Sequence, residues 1–256
     1  MSDFLTRTIV GVLGSILLVI LIYFGGAAFN VFLLLLVLLA LFELKNALEN
    51  IGLKLNTIFI FLCSFAGFLE LYIRNSIIMT IYLIFFLCSF DLLFLRNDIK
   101  SVAALCFALI YTVVGFYSIG MIQKKAYIGL VFVIAFSTDT FAYLCGRIFG
   151  EHPLIPKVSA HKTIEGSLGG MISTLIITCL YCEFFASDYG LEVHAITGLL
   201  GSVIAQIGDL TASRIKRDCK IKDFGKILPG HGGILDRFDS VIMVAPTLYF
   251  LYQFVF

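Results

Sequence analysis

Charge is scarce in this chain. Lys, Arg, Asp and Glu make up 14% of its 256 residues against 60% apolar types, whereas a soluble domain carries closer to about 25% charged residues. That shortage excludes an ordinary water-soluble globule and points to a protein of the lipid bilayer. Basic blocks are also rare. Apart from the stretch 214–226 there is no Lys/Arg-rich segment or basic tail, and the formal net charge is only +1, so the charge pattern calls for no nucleic acid partner. No A-x-A-like cleavage site stands out, and a second apolar run follows the first after only Gly25 and Gly26. The first run is therefore read as a retained helix rather than a cleaved signal. The seven cysteines fall mostly inside apolar runs, which argues against a disulfide framework or a zinc site. Cys179 and Cys182 do make a C-x-x-C, but within an apolar helix, where a thiol packs as a small hydrophobe. No Ser-His-Asp or Cys-His arrangement, internal repeat or low-complexity linker is evident.

What is present is apolar length. A bilayer core of about 30 Å takes about 20 mostly apolar residues per helix, and runs such as 9–24 and 27–42 meet that need. Reading the whole chain this way gives helices near 7–24, 27–44, 55–73, 76–95, 101–122, 127–147, 167–186, 193–216 and 239–256. The expected fold class is an all-α polytopic membrane protein of about nine transmembrane helices. With nine alternating spans, the side of the N-terminus holds 15 of the 18 Lys and Arg, and the other side only Arg74, Lys124 and Lys125. Positive charge stays inside, so the N-terminus and the two longer loops, 146–166 and 214–239, are expected in the cytoplasm and the C-terminus opposite.

Composition divides the chain near residue 126. Residues 1–126 are rich in Leu and Phe and are expected to form five helices that act as scaffold, with dimer or lipid contacts. Residues 127–256 carry Asp139, Glu165, Asp209, Asp236 and Asp239 near inner helix ends, so the chemistry is expected there. An Asp at the centre of a membrane helix costs about 2.5–3.5 kcal/mol on insertion, which makes such a residue a functional candidate. In FSTDTFAYLCGR, Asp139 precedes Tyr143 and Arg147 at i+4 and i+8; in IGDLTASRIKR, Asp209 precedes Ser213 and Arg217 at the same intervals, with Lys216 at i+7. Each set shares a helix face, with an acid inside the membrane and a cation at the mouth. Carboxylates hold a hard cation and Arg or Lys hold phosphate oxygens, so the pattern suits a metal-bridged phosphate. The plainer alternative is a helix end with a snorkelling basic side chain.

The segment KDFGKILPGHGGILDRFDS, 222–240, is the polar exception among Leu and Phe. Asp236 and Asp239 stand at i and i+3 at the start of the last helix, where acids also suit the positive helix end. Gly225, Gly230, Gly232 and Gly233 leave backbone N–H groups uncovered and allow close approach to phosphates. His231 either contacts substrate or hydrogen-bonds within the loop, and Lys222 and Lys226 either bind phosphate or anchor the inner leaflet. The second polar loop, SAHKTIEGSLGG, brings His161, Lys162 and Glu165 to the same face; a simple helix start is the alternative there.

These residues resemble the phosphatidate cytidylyltransferases, the CDP-diacylglycerol synthases. The family signature stands here as Ser213, Lys216, Arg217, Lys222, Asp223, Gly225, Pro229, His231, Gly232, Gly233, Asp236, Arg237 and Asp239, with no departure. STDTFAYLCGR and SAHKTIEGS look like the family's preceding motifs, with one difference: Ala160 and His161 stand where the family usually has Pro-Lys.

The resemblance implies a reaction in which CTP and phosphatidate give CDP-diacylglycerol and pyrophosphate, with Mg²⁺ and a second monovalent or divalent cation. It implies metal ligands at Asp209 and Asp236, with Asp239 in support, and a homodimer in the bacterial inner membrane with its site facing the cytoplasm. Lys216, Arg217, His231 and Arg237 are placed with Asp209 and Asp236 in the chemistry. Ser213, Lys222, Asp223, Gly225, Lys226, Gly232, Gly233, Asp139, Arg147, Lys162 and Glu165 are placed with substrate. A cation-coupled transporter using Asp139 and Asp209 is the alternative, but it would carry polar groups right through the membrane rather than cluster them at one end. A CDP-alcohol phosphotransferase would need aspartates on two helices in a pattern beginning Asp-Gly, which this sequence lacks.

Overall fold

The computed structural model describes residues 3–95, 97–227, 230 and 232–255. Among them the chain is almost wholly helical, as expected of a sequence whose backbone polar groups must be satisfied within lipid. The helices are α1 (Asp3–Phe24), α2 (Gly26–Glu49), α3 (Thr57–Arg74), α4 (Ile78–Phe90), α5 (Ile99–Leu109), α6 (Gly115–Met121), α7 (Lys125–Phe149), α8 (Ile164–Phe185), α9 (Leu191–Asp218) and α10 (Leu235–Phe250). Wider turns continue α4 through Asp91–Leu95, join α5 to α6 through Ile110–Val114, and extend α10 through Leu251–Val255. Seven of the resulting stretches among the described residues are long and apolar enough to cross a membrane, beginning at Gly26, Thr57, Ile78, Ile99, Lys125, Ile164 and Leu191. The described apolar part of α1, Thr8–Phe24, and α10 are shorter.

Helix boundaries follow local chemistry. The Asn56 side chain accepts from the Ile58 N–H to start α3, Asp98 accepts from Ser101 to start α5, and Thr163 accepts from Gly166 to start α8. Asn75 ends α3 in the left-handed region at φ 49°. Several boundaries differ from the sequence expectation: α1 begins at Asp3 rather than 7, and α2 runs on to Glu49 rather than ending at 44. Helix α8 begins three residues earlier because of the Thr163 cap, and α10 begins at Leu235 rather than 239, so Asp236 and Asp239 both lie within its first turns. A short antiparallel hairpin also occupies the 146–166 loop: β1 (Pro153–Ile155) pairs with β2 (Ser159–Thr163), which hydropathy does not foretell.

The chain forms two compact units, one of Met1–Met121 with Asp218–Phe238 and the other of Ile122–Arg217 with Asp239–Phe256. In the first, α2 is the central helix: Leu33, Val37, Ala40, Leu41 and Leu44, spaced three or four apart, are fully buried. Helices α3 and α6 meet at Gly67, where a Cβ would stand 2.5 Å from the Tyr117 ring, and the Tyr117 hydroxyl donates to the Ser64 carbonyl at 2.7 Å. Buried Glu70 of α3 accepts from the N–H groups of Met79 and Thr80 at 2.8 and 2.7 Å, capping α4 from a neighbouring helix.

In the second unit small residues let helix backbones approach. A Cβ at Gly170 would stand 3.0 Å from Ala142 Cβ and one at Gly169 2.5 Å from Cys145, which brings α8 onto α7. The Thr138 and Thr174 hydroxyls pair across the same contact at 3.0 Å. Helix α9 lies against α8 at Gly198, against α7 at Gly201 and against α10 at Gly208. Many large apolar side chains remain exposed, such as Phe85, Phe184 and Leu168, as expected where the surrounding solvent is lipid.

Candidate active site

The second unit holds a cavity of ≈ 580 Å³ between α7, α8, α9 and the hairpin. Four residues that the resemblance assigns to the site line it: Asp139 and Arg147 from α7, Lys162 from β2 and Asp209 from α9. Their convergence is a product of packing, since the glycine contacts of α8 on α7 bring three sequence-distant segments together. Tyr143, Ser159, His161, Ser167 and Gln206 complete much of the wall.

The electrostatics are those of a site for an anion held beside carboxylates. Lys162 Nζ, shielded from solvent, forms an ion pair with Asp209 Oδ2, and both side chains are 28% exposed. Such a half-buried pair is screened far less than a surface one. Asp139 accepts from the Ser240 hydroxyl at 3.2 and 3.1 Å through its two oxygens. Asp239, 7% exposed, lies within electrostatic reach of Asp209, Asp139 and Lys216. Ser213 sits one turn beyond Asp209, its Oγ 3.5 Å from Oδ1, and Lys216 and Arg217 occupy the last turn of α9, where cations suit the negative helix end.

Among the described residues no three His, Cys, Asp or Glu side chains stand close enough to form a ready-made metal cluster. Asp209 and Asp139, which lie within electrostatic reach of Asp239 without forming such a cluster, are like it hard carboxylates of the kind Mg²⁺ takes, and the Lys162 ammonium already places a positive charge against Asp209. Glu165 is engaged elsewhere. It takes His152 Nδ1 at 2.6 Å and the N–H groups of Glu151 and His152 at 3.2 and 3.3 Å, fastening the start of the hairpin to the first turn of α8.

The glycine-rich segment lies in the first unit. Lys222, Asp223, Gly225 and Lys226 line a pocket of ≈ 360 Å³ with Asn46 and Asn50 at the end of α2. Asp236 Oδ2 accepts from the N–H groups of Phe224 at 2.8 Å and Gly233 at 3.0 Å, tying the two ends of the loop. The expectation of bare N–H groups is thereby corrected at Gly233, whose N–H is already engaged. Gly232 has φ +87°, a conformation that side chains rarely adopt. Arg237 is exposed in the first turn of α10, and His231 lies outside the described residues.

Comparison with known proteins bears on this arrangement. Residues 5–255 match the model of the cytidylyltransferase family. The chain belongs to that family. Proteins named phosphatidate cytidylyltransferase from Staphylococcus haemolyticus and Staphylococcus saprophyticus are each 34% identical to it over 254 residues, covering 94% of this chain and 96% of the relative. One from Staphylococcus aureus is 34% identical over 255 residues. The chain is thus a membrane-embedded enzyme of the cytidylyltransferase family, and the match takes in the N-terminal half as well as the motifs that carry the resemblance.

Within this cytidylyltransferase, sequence reasoning passed over Ser167 and Gln206. The Ser167 hydroxyl donates to Gln206 Oε1 at 2.5 Å, and Gln206 Nε2 returns a bond to the Ser167 carbonyl at 3.3 Å. A signal was present, since Gln206 is a polar residue inside an apolar helix, one turn before Asp209. Glu43 is a second omission. It is 4% exposed on α2, and its carboxylate accepts from the N–H groups of Ile234 and Leu235 at 2.9 and 2.8 Å.

Proposed function

We propose that this enzyme transfers the cytidylyl group of CTP to phosphatidate, releasing pyrophosphate and forming CDP-diacylglycerol for phospholipid synthesis. The observation that carries this reading is the near full-length similarity to relatives bearing the name phosphatidate cytidylyltransferase. The cavity supports it, since Arg147 and Lys162 supply cations beside Asp139 and Asp209 in a space large enough for part of a nucleotide.

The reaction forms a bond from an oxygen of the lipid phosphate to the α-phosphorus of CTP and breaks the bond from that phosphorus to the pyrophosphate oxygen. A phosphate monoester has a second pKa near about 6 and is already anionic at neutral pH, so no side chain need remove a proton. Two anions must still approach each other. Lys162 and Arg147 in the cavity, with Lys216, Arg217 and Arg237 at helix ends, are assigned to offset that repulsion and to hold the departing phosphates. Divalent metal, when bound, would neutralise phosphate charge, and Asp209, Asp236 and Asp239 are the carboxylates assigned to it, residue by residue, from the family resemblance. Asp139 is assigned to orienting a ligand through its bond with Ser240.

The site is assigned to the cytoplasmic side of a bacterial plasma membrane, where the lipid reaches it sideways from the inner leaflet and CTP from the cytosol. A homodimer is the assigned assembly. Purified protein in detergent, given labelled CTP, phosphatidate and Mg²⁺, is expected to yield CDP-lipid and pyrophosphate, with loss in Asp209→Ala and in Asp236→Ala. No CDP-lipid from the unaltered protein, or full activity in both variants, would overturn the proposal.

A further inference from the structure

Glu43 lies in the N-terminal half, far from the signature in sequence, and is nearly devoid of solvent contact at 4% exposure. A buried carboxylate in an apolar helix is costly unless its oxygens are bonded, and both are. Oε1 accepts from Ile234 N–H at 2.9 Å and Oε2 from Leu235 N–H at 2.8 Å, across separations of 191 and 192 residues. These N–H groups belong to the start of α10, where a helix has no partners of its own for its first donors. The acid also meets the positive end of that helix.

Two signature glycines are shaped to this carboxylate. A Cβ at Gly233 would stand 2.5 Å from each Glu43 oxygen, and one at Gly225 would also collide with Oε1. A Cβ at either position would displace the Glu43 carboxylate, and that carboxylate is held by its bonds to Ile234 and Leu235. Asp236 ties Phe224 to Gly233 with one oxygen, so the stretch that leads into α10 is fastened twice: by Asp236 at Gly233 and by Glu43 of α2 at Ile234 and Leu235.

We infer that Glu43 is a positioning residue for the reaction, fixing Gly233, Ile234 and the first turn of α10 so that Asp236 is held in one orientation. This inference rests on the reading of the chain as a CTP-dependent lipid cytidylyltransferase. Glutamine at 43 keeps the shape but offers one acceptor oxygen to two N–H groups and turns an NH₂ donor toward the other. Aspartate keeps two acceptors on a shorter arm.

The test uses the full-length protein in detergent. Glu43→Gln is expected to lower kcat by about 10- to 100-fold, the usual consequence of removing a support behind a metal-binding acid, with the KM for phosphatidate within about twofold of the parent. Glu43→Asp is expected to recover part of the loss. In metal-free protein without substrate, amide exchange at Ile234 and Leu235 is expected to speed by about tenfold or more in Glu43→Gln, while the buried amides of α3 stay protected. Unchanged kcat in Glu43→Gln, or a loss that only matches the unfolded fraction, overturns the inference. Should Glu43→Gln fail to fold, Glu43→Asp decides: parental kcat with parental exchange at 234 and 235 overturns it. An inactive parent protein would instead overturn the proposed reaction, leaving the exchange result to judge the Glu43 contact separately.

Discussion

Gly208 of α9 lies directly against the backbone of Asp239 in α10: a Cβ at Gly208 would stand 2.6 Å from the Asp239 carbonyl oxygen and 3.2 Å from Ser240 Cα. The glycine next to Asp209 thus sets how near the two acidic helices come. Backbone cannot swing aside as a side chain can, so Gly208→Ala is expected to cost about 1–3 kcal/mol and to lower turnover. Gly14→Ala, where nothing lies within 4 Å, is expected to be neutral or slightly stabilising. Thermal unfolding in detergent beside CDP-lipid formation checks both, and equal behaviour of the two variants would remove the claim.

The Lys162–Asp209 pair leads to a second expectation. Lys162→Met removes the cation nearest Asp209 within the cavity, and a lost charge-stabilising group of this kind lowers turnover by about 100-fold. Asp209→Asn is expected to do at least as much. Steady-state kinetics against CTP would show it, and parental turnover in Lys162→Met would mean that the lysine is only a structural counter-ion.

Acidification tests a different cluster. Asp188, in the loop between α8 and α9, meets Lys124 Nζ at 2.8 Å and accepts from the Tyr127 hydroxyl at 2.9 Å. The Lys124 ammonium, then the Tyr127 hydroxyl, hold its carboxyl below the usual range. With the folded-state value below the unfolded one near about 3.9, its contribution is complete above that value and is lost as pH falls through the folded value. The Tm gap between the parent and Asp188→Asn is expected to stay level from about pH 8 to about 5 and to narrow below about 4. The side chain is 42% exposed, so salt should shrink the gap as well. A gap that widens with acid would contradict this assignment.

Orientation in the membrane has its own check. From the distribution of Lys and Arg, Lys222 is expected in the cytoplasm and Lys124 on the opposite side. In right-side-out vesicles, a membrane-impermeant maleimide is expected to label Lys124→Cys and to spare Lys222→Cys until the membrane is opened. The reverse pattern would invert the assigned topology. The native cysteines are buried or half-buried, which keeps their background low.

Helix positions were legible from sequence because the bilayer demands length and hydrophobicity, which are local quantities. The runs through Leu33 to Leu44 and through Leu130 to Ala135 needed no tertiary knowledge to be read as helix. Asp139 and Asp209 stood out for the same reason, as costly residues in apolar surroundings. The hairpin at Pro153–Thr163 was not legible, since its strands are only three and five residues long and its base is held by Glu165 and His152 rather than by alternation.

The sequence by itself determined the class of the protein, the stretches that become helices and the residues with enough charge to do chemistry. Tertiary structure decided which of them meet. It set Lys162 on Asp209, Ser240 on Asp139 and Gln206 on Ser167 through the close approach of helices at glycine. It also gave Glu43 a role no spacing rule could find, because its partners lie 191 and 192 residues away and are backbone groups, which leave no mark of their own in the amino-acid sequence.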